Sequence, residues 1–257
     1  MKAKVLAFCN HKGGVAKTTS VLNIGAVLAG FGKRVLLIDL DAQSNLTFSL
    51  TDIEEPERST YTALKERKDL PQIEIAENLF LSPSSLDLAA IESEMGGTIG
   101  RERALQKAIE PLRSSYDYIL IDCAPSLGLL LINALTAADR VYIPLSAESL
   151  PYKGLNSLES VIEQVREYLN SSLTLGGIFF TRWNNRNLNK EVADAAQERY
   201  GDLLLDTRIR ENISIAEAPL TKQSVIEYAP TSNGAADYTH LTAEIMNREH
   251  DYFIKVP

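Results

Sequence analysis

Short continuous apolar runs alternate along the chain with longer stretches in which apolar residues recur every three or four positions. The runs are "KVLAFC" (4–9), "RVLLID" (34–39), "LFLSP" (79–83), "YDYILID" (116–122), "RVYIPL" (140–145) and "LGGIFF" (175–180), and each predicts a strand. They are apolar on consecutive residues rather than alternate ones, which suits parallel strands covered on both faces. Between them the three-to-four period predicts helices over 18–30, near 101–112, over 129–138, 154–169 and 189–200, and a last one over 235–247. In the first of these, Val21, Ile24, Gly25 and Leu28 share one face, and Gly30 and Gly32 mark its end. A short run "DLLL" (202–205) precedes the last helix. Residues 51–77 are polar, hold Pro56 and Pro71, and predict little beyond a short helix near 61–67. Strand–helix alternation without repeats or a clear linker predicts one α/β domain: a mostly parallel twisted sheet with helices on both faces.

The loop between the first strand and the first helix carries the chemistry. "FCNHKGGVAKTTS" (8–20) sits where a phosphate loop belongs, with backbone N–H groups and a helix N-terminus available to an anion. The usual pattern G-x-x-x-x-G-K-[ST], anchored on Lys17 and Thr18, places glycines at 11 and 16. Those positions hold His11 and Ala16; the glycines are Gly13 and Gly14, and Lys12 precedes them. Lys17 is expected to reach the β- and γ-phosphates of a nucleotide, and the Thr18 hydroxyl to meet Mg²⁺. Ala16 can stand in for glycine if its φ is negative.

Composition narrows the partners. The chain has 257 residues, 45% hydrophobic and 23% charged, with net charge −8, so any contact with nucleic acid must come from a local basic patch. Two cysteines, Cys9 and Cys123, make no disulfide framework and are expected to be buried small hydrophobes. The run 5–9 is too short for a signal peptide, and "LGLLLINAL" (127–135) is too short to span a membrane, so a cytoplasmic protein is expected. His11, His240 and His250 have no metal-ligand spacing.

"KGGVAKTT" (12–19) resembles the deviant Walker A motif, K-G-G-x-x-K-[ST], of the ParA/MinD group of P-loop ATPases. The resemblance makes Lys12 the signature lysine, which crosses an ATP sandwich dimer to the partner's phosphates. It makes Gly13, Gly14, Val15, Ala16, Lys17, Thr18 and Thr19 the nucleotide-binding loop. "LLIDLDAQSNLT" (36–47) is similar to the family's Walker A′ segment D-x-D-P-Q-x-N, with Ala42 in place of the proline. It implies that Asp41 orients the attacking water and that Asp39 supports the Mg²⁺ region. "YDYILIDCAPSLG" (116–128) resembles Walker B, with Asp122 holding Mg²⁺ through water. The implied cofactors are ATP and Mg²⁺. Catalysis is assigned to Lys12, Lys17 and Asp41, and the metal to Thr18, Asp39 and Asp122. Asn184 and Arg210, with the stretch 208–213, are where base contacts are sought.

Weaker matches, including "STYTAL" (59–64), "VYIPLSAESLPYKGL" (141–155) and "ISIAEAP" (213–219), extend the resemblance toward the small Soj-like ParA proteins. Few residues precede the loop, so no N-terminal helix-turn-helix extension is expected. The resemblance implies a homodimer formed on ATP, non-specific DNA binding, and stimulation of a slow hydrolysis by a ParB-type centromere-binding protein. Candidates for DNA contact are Arg182, Arg186, Lys190, Arg208, Arg210 and Lys222. The Soj-type segment I-P-R-N-x-R-x-x-E-A-P departs here to "IRENISIAEAP" (209–219), with Glu211 and Ser214 at the arginine positions. The alternatives are a relative that positions a protein cargo, a metabolic P-loop ligase or kinase, and a MinD-like membrane ATPase. The last would need a basic amphipathic ending, which "AEIMNREHDYFIKVP" (243–257) does not resemble, so no membrane partner is expected.

Overall fold

The computed structural model describes residues 2–146, 152–184 and 186–250. Eight strands form one sheet: β1 (Lys4–Phe8), β2 (Val35–Leu40), β3 (Ile73–Ala76), β4 (Leu79–Ser82), β5 (Tyr118–Cys123), β6 (Arg140–Ser146), β7 (Thr174–Trp183) and β8 (Leu204–Arg210). Their order is β3-β4-β2-β5-β1-β6-β7-β8. All neighbours pair in parallel except β3 with β4. The helices are α1 (Lys17–Gly30), α2 (Asn45–Leu50), α3 (Thr60–Glu66), α4 (Ile91–Glu94), α5 (Ala104–Ile109), α6 (Leu129–Ala137), α7 (Tyr152–Tyr168), α8 (Asn187–Tyr200), α9 (Ile213–Glu217), α10 (Val225–Tyr228) and α11 (Asn233–His250).

The central strands show why their sequences are apolar throughout. Residues of β1 alternate between two cores: Val5, Ala7 and Cys9 pack on one face, Leu6 and Phe8 on the other. The first face is covered by Leu105 and Ile109 of α5, Leu130 of α6, Leu158 of α7 and Val192 of α8. The second is covered by Leu22 and Ile24 of α1 and by Tyr238 and Leu241 of α11. Every residue of β2 and of β5 is buried. Burial of each Leu or Ile side chain contributes about 1.5–3 kcal/mol. Helix α1 lies so close to β2 that a Cβ on Gly25 would stand 2.6 Å from the Leu37 side chain. That close approach is why the helix carries glycine on its apolar face.

The structure corrects several expectations. The helix expected near 101–112 is broken into a 3-10 turn (Arg101–Arg103), α5, and a second 3-10 turn (Glu110–Leu112). Pro111 at the start of that second turn has no N–H to continue an α-helix. The short run at 202–205 is divided: a 3-10 turn (Gly201–Leu203) is followed by β8, which begins at Leu204 and runs on to Arg210. As an edge strand it buries Leu204, Leu205 and Ile209 and exposes Asp206, Arg208 and Arg210, so its apolar run ends before the strand does. The irregular region 51–77 contains β3, a four-residue antiparallel edge strand. Residues 147–151 of the stretch "VYIPLSAESLPYKGL", and 251–257 of the closing stretch, lie outside the described residues. Among the described residues no helix is long and apolar enough to cross a membrane.

Candidate functional site

The parallel strands deliver Asp39, Asp41 and Asp122 to one end of the sheet, beneath the loop that leaves β1. Register pairs Phe8 with Asp122 and Asp122 with Asp39, so the end of β1 and the two acids lie side by side on neighbouring strands. This is the carboxyl edge of an open α/β sheet, where ligands bind.

The loop is held from several sides. Asn10 donates to the Pro144 carbonyl at 2.8 Å, and its own side-chain oxygen accepts from the Lys12 N–H at 3.0 Å. The Thr181 hydroxyl lies 3.2 Å from the Val15 carbonyl. Lys17 Nζ donates to the Lys12 carbonyl at 3.2 Å, folding the lysine back along the loop. Gly14 has φ 73°, where glycine is favoured. Ala16 has φ 61°, so the condition of a negative φ is not met, and it stands in for glycine in the left-handed region itself. It precedes the first helical residue, Lys17, and the left-handed turn there sets the helix start. A non-glycine residue tolerates that conformation at a cost of about 1–2 kcal/mol.

A cavity of about 670 Å³ opens at this edge. Gly13, Gly14, Ala16, Lys17, Thr18 and Thr19 line its floor, with Asp41, Gln43, Asn45 and Ser49 on one side. Thr181, Arg182 and residues 209–213, with Ile215, Ala216 and Tyr238, form the other side. Lys12 and Val15 are not among the lining residues; the Val15 side chain is buried. Asn184 is not a lining residue either. Its side chain is taken up by Asn189 at 2.8 Å and Glu211 at 3.4 Å. Gln43, Asn45, Ser49, Thr181 and Tyr238 were not singled out from the sequence. Three of them lie on α2 or just before it, and the others come from β7 and α11.

The acids differ in their surroundings. Both carboxylate oxygens of Asp122 are buried without a hydrogen-bond partner. Burial, then the neighbouring Asp39 charge, pushes Asp122 well above the usual carboxylate range. The Thr18 hydroxyl lies close enough to oppose that rise without making a hydrogen bond of ordinary geometry, and the Lys17 charge opposes it too. Asp39 is raised to about 6, chiefly by burial and against the hydrogen bonds from Thr47. Its Oδ2 accepts from the Thr47 N–H at 2.8 Å and the Thr47 hydroxyl at 2.7 Å, and its Oδ1 from the Asp41 N–H at 3.2 Å. Asp41 Oδ1 accepts from the Gln43 N–H at 3.0 Å.

A buried carboxylate with two orphaned oxygens beside a threonine hydroxyl suits a hydrated Mg²⁺. Among the described residues no group of three or more His, Cys, Asp or Glu could hold a metal alone. Cys9 and Cys123 are buried with sulfurs 3.0 Å apart, and burial pushes the Cys123 thiol well up, so they behave as the expected small apolar residues.

The basic residues fall into two sets. Arg182, Arg186 and Lys190 are exposed around the start of α8. Arg208 lies over the Trp183 ring at 4.1 Å. Arg210 is bound to Asp237, with its Nη2 2.6 Å from Asp237 Oδ1. Lys222 is held apart from the rest: it donates to the Phe48 carbonyl at 2.6 Å and lies 3.5 Å from that residue's ring centre.

Known proteins place this geometry. The family described as AAA domain matches residues 3–175. The sporulation initiation inhibitor protein Soj of Bacillus subtilis is 41% identical over 247 residues, 94% of this chain and 98% of that protein. The chromosome partitioning protein ParA of Caulobacter vibrioides is 38% identical over 257 residues, covering 96% of each. A solved structure described as cobyrinic acid a,c-diamide synthase from Mycobacterium smegmatis, with a bound ATP analogue and magnesium, superimposes with TM-score 0.85 at 33% identity. It covers 99% of each chain. This chain belongs to the AAA-domain family of P-loop ATPases, among the relatives of ParA and Soj.

Proposed function

We propose that this protein is a nucleotide-gated dimer that holds duplex DNA while ATP is bound and lets go after hydrolysis, in partitioning driven with a ParB-type partner. The observation that carries the reading is the placement of the two lysines of one loop. Lys17 lines the cavity of its own chain, whereas Lys12, five residues earlier, does not. A lysine kept on the loop but off its own cavity wall suits delivery to the site of a second copy, where it would offset charge developing on the phosphates.

In this reading the N–H groups of residues 13–19 and the start of α1 receive the phosphates, and Lys17 pairs with their oxygens. Thr18 and Asp122 would hold the hydrated Mg²⁺, with Asp39 beside Asp122 on the neighbouring strand. When bound, Mg²⁺ withdraws charge from the phosphate oxygens. Asp41 orients the attacking water, and residues 209–213 with Arg210 flank the base. Arg182, Arg186, Lys190 and Arg208 offer phosphate contacts to DNA, in which case binding falls steeply with salt.

The test is molecular mass in solution with ATP and Mg²⁺. The wild type is expected to dimerise; Lys12→Ala is expected to stay monomeric with ATP affinity within about threefold of wild type. A wild type that never dimerises, or a Lys12→Ala that loses ATP as completely as Lys17→Ala, contradicts the proposal. The likeness to the mycobacterial structure supports a second reading, an ATP-consuming amide synthase. Such an enzyme would consume ATP with its small-molecule substrate and be indifferent to DNA.

A further inference from the structure

We infer that Thr47 is a positioning residue for the hydrolytic step, acting through Asp41. The inference rests on the reading of Asp41 as the carboxylate that orients water.

Four buried residues from three segments close a ring of hydrogen bonds around Asp41. The Asp41 N–H donates to Asp39 Oδ1 at 3.2 Å. Asp39 Oδ2 accepts from the hydroxyl and the N–H of Thr47, at 2.7 and 2.8 Å. The Thr47 hydroxyl in turn accepts from the Ser84 N–H at 2.9 Å. The Ser84 hydroxyl donates to the Asp41 carbonyl at 2.6 Å, which closes the ring. Asp41 is thereby gripped at both its N–H and its carbonyl, while its side chain lines the cavity.

Every member is buried: Asp39 and Thr47 are 0% and 1% exposed, and Ser84 and Asp41 are 1% and 9% exposed. The ring therefore works without competition from water, where each bond is strong and each broken one is costly. Thr47 is its keystone for a chemical reason. Its hydroxyl gives its proton to Asp39 and takes one from Ser84, so a single side chain joins β2, α2 and the segment after β4. A methyl in its place leaves the Ser84 N–H unpaired and leaves Asp39 Oδ2 with the backbone N–H of residue 47 alone.

The ring's two ends both fall on Asp41, one at its N–H and one at its carbonyl, on either side of the carbon that carries the water-orienting side chain. Displacements of about 1 Å in a positioned group cost up to ~100-fold in rate. The ring holds the backbone from which Asp41 reaches the cavity, and none of its other members lines that cavity. Loss of the Thr47 hydroxyl should therefore act on the rate of the bound state and leave nucleotide affinity alone.

The test compares Thr47→Val and Thr47→Ser with wild type in three measurements: phosphate release at saturating ATP and Mg²⁺, affinity for a non-hydrolysable ATP analogue, and melting temperature. Thr47→Val is expected to lower the saturated rate about 10-fold or more, with analogue affinity within about threefold. Thr47→Ser should restore the rate. A Thr47→Val protein that melts earlier but hydrolyses at the wild-type rate below its melting point overturns the inference. So does a loss of affinity equal to the loss of rate. If Thr47→Val does not fold, Ser84→Ala removes only the grip on the Asp41 carbonyl and must show the same loss of rate; an unchanged rate overturns the inference. Asp41→Ala separates the two readings. If it hydrolyses ATP normally, the role given to Asp41 fails. If it is inactive while Thr47→Val is normal, only the role of Thr47 fails.

Discussion

Replacing Ala16 with glycine is expected to stabilise the protein, although it deletes a methyl group beside a cavity. Ala16 holds φ 61° and ψ 34° just before α1. For a residue with a Cβ that conformation costs about 1–2 kcal/mol, a cost absent for glycine. Glycine has a compensating disadvantage, since its unfolded chain is freer by about 0.4–1 kcal/mol. The difference is a net gain of roughly 0.5–1 kcal/mol. For a chain of 257 residues, an unfolding entropy of about 2.1 cal/mol/K per residue gives about 0.54 kcal/mol/K in all, so the melting temperature should rise by about 1–2 °C. The assay is thermal unfolding of Ala16→Gly and wild type without nucleotide, repeated with ATP analogue and Mg²⁺. An increase that survives nucleotide saturation supports the account. A fall of 2 °C or more would refute it, because it would mean that the methyl group packs better than its backbone is strained.

Other expectations follow from the buried acids and the basic surface. Asp39 titrates near 6 rather than at its ordinary 3.8. A carboxyl raised by burial costs nothing while protonated in both states, and its penalty appears as pH rises from about 4 through 6. The rise from 3.8 to about 6 corresponds to about 3 kcal/mol. Asp39→Asn should therefore gain about that much relative to wild type between pH 4 and pH 7, in urea titrations without nucleotide or metal; a difference that does not change with pH contradicts the assignment. On the basic surface, Arg186→Ala and Lys190→Ala should each lower the salt dependence of DNA binding by about one ion. Lys222→Ala should leave it unchanged, because that ammonium is held by Phe48; a loss of slope in Lys222→Ala would return it to the DNA surface.

Much of this architecture was legible in the chain because parallel strands buried on both faces cannot hide. β2 and β5 read as unbroken apolar runs, and the loop between β1 and α1 announced itself by two lysines and two glycines. What escaped depended on single side chains. Helix α2 is only six residues long, too short to show a sustained period; it buries Leu46 and Leu50 in the core and is tied to β2 by Thr47 meeting Asp39. β3 is four residues at an edge, where polar residues are tolerated, so it resembled a loop. The break at Pro111 was written in the sequence and was overridden by the apolar period on either side of it. The positive φ at Ala16 was not legible because alanine by itself favours negative φ, and the left-handed turn is set by the junction of the loop with α1. At the site, the loop and the three acids were visible as motifs. The cavity wall from Thr181, residues 209–213 and Tyr238 depends on the pairing of β7 with β8 and on α11 packing beside α1.

The most direct measurement is retention on non-specific duplex DNA at about 100 mM salt, with ATP and with ADP, using Asp41→Ala to keep ATP in the site. The account predicts retention with ATP alone, its loss in Asp41→Ala carrying Lys12→Ala, and a steep decline as salt is raised. A protein that dimerises on ATP yet is never retained would contradict the DNA-holding role and leave Glu211 and Ser214 as the departures that decide it.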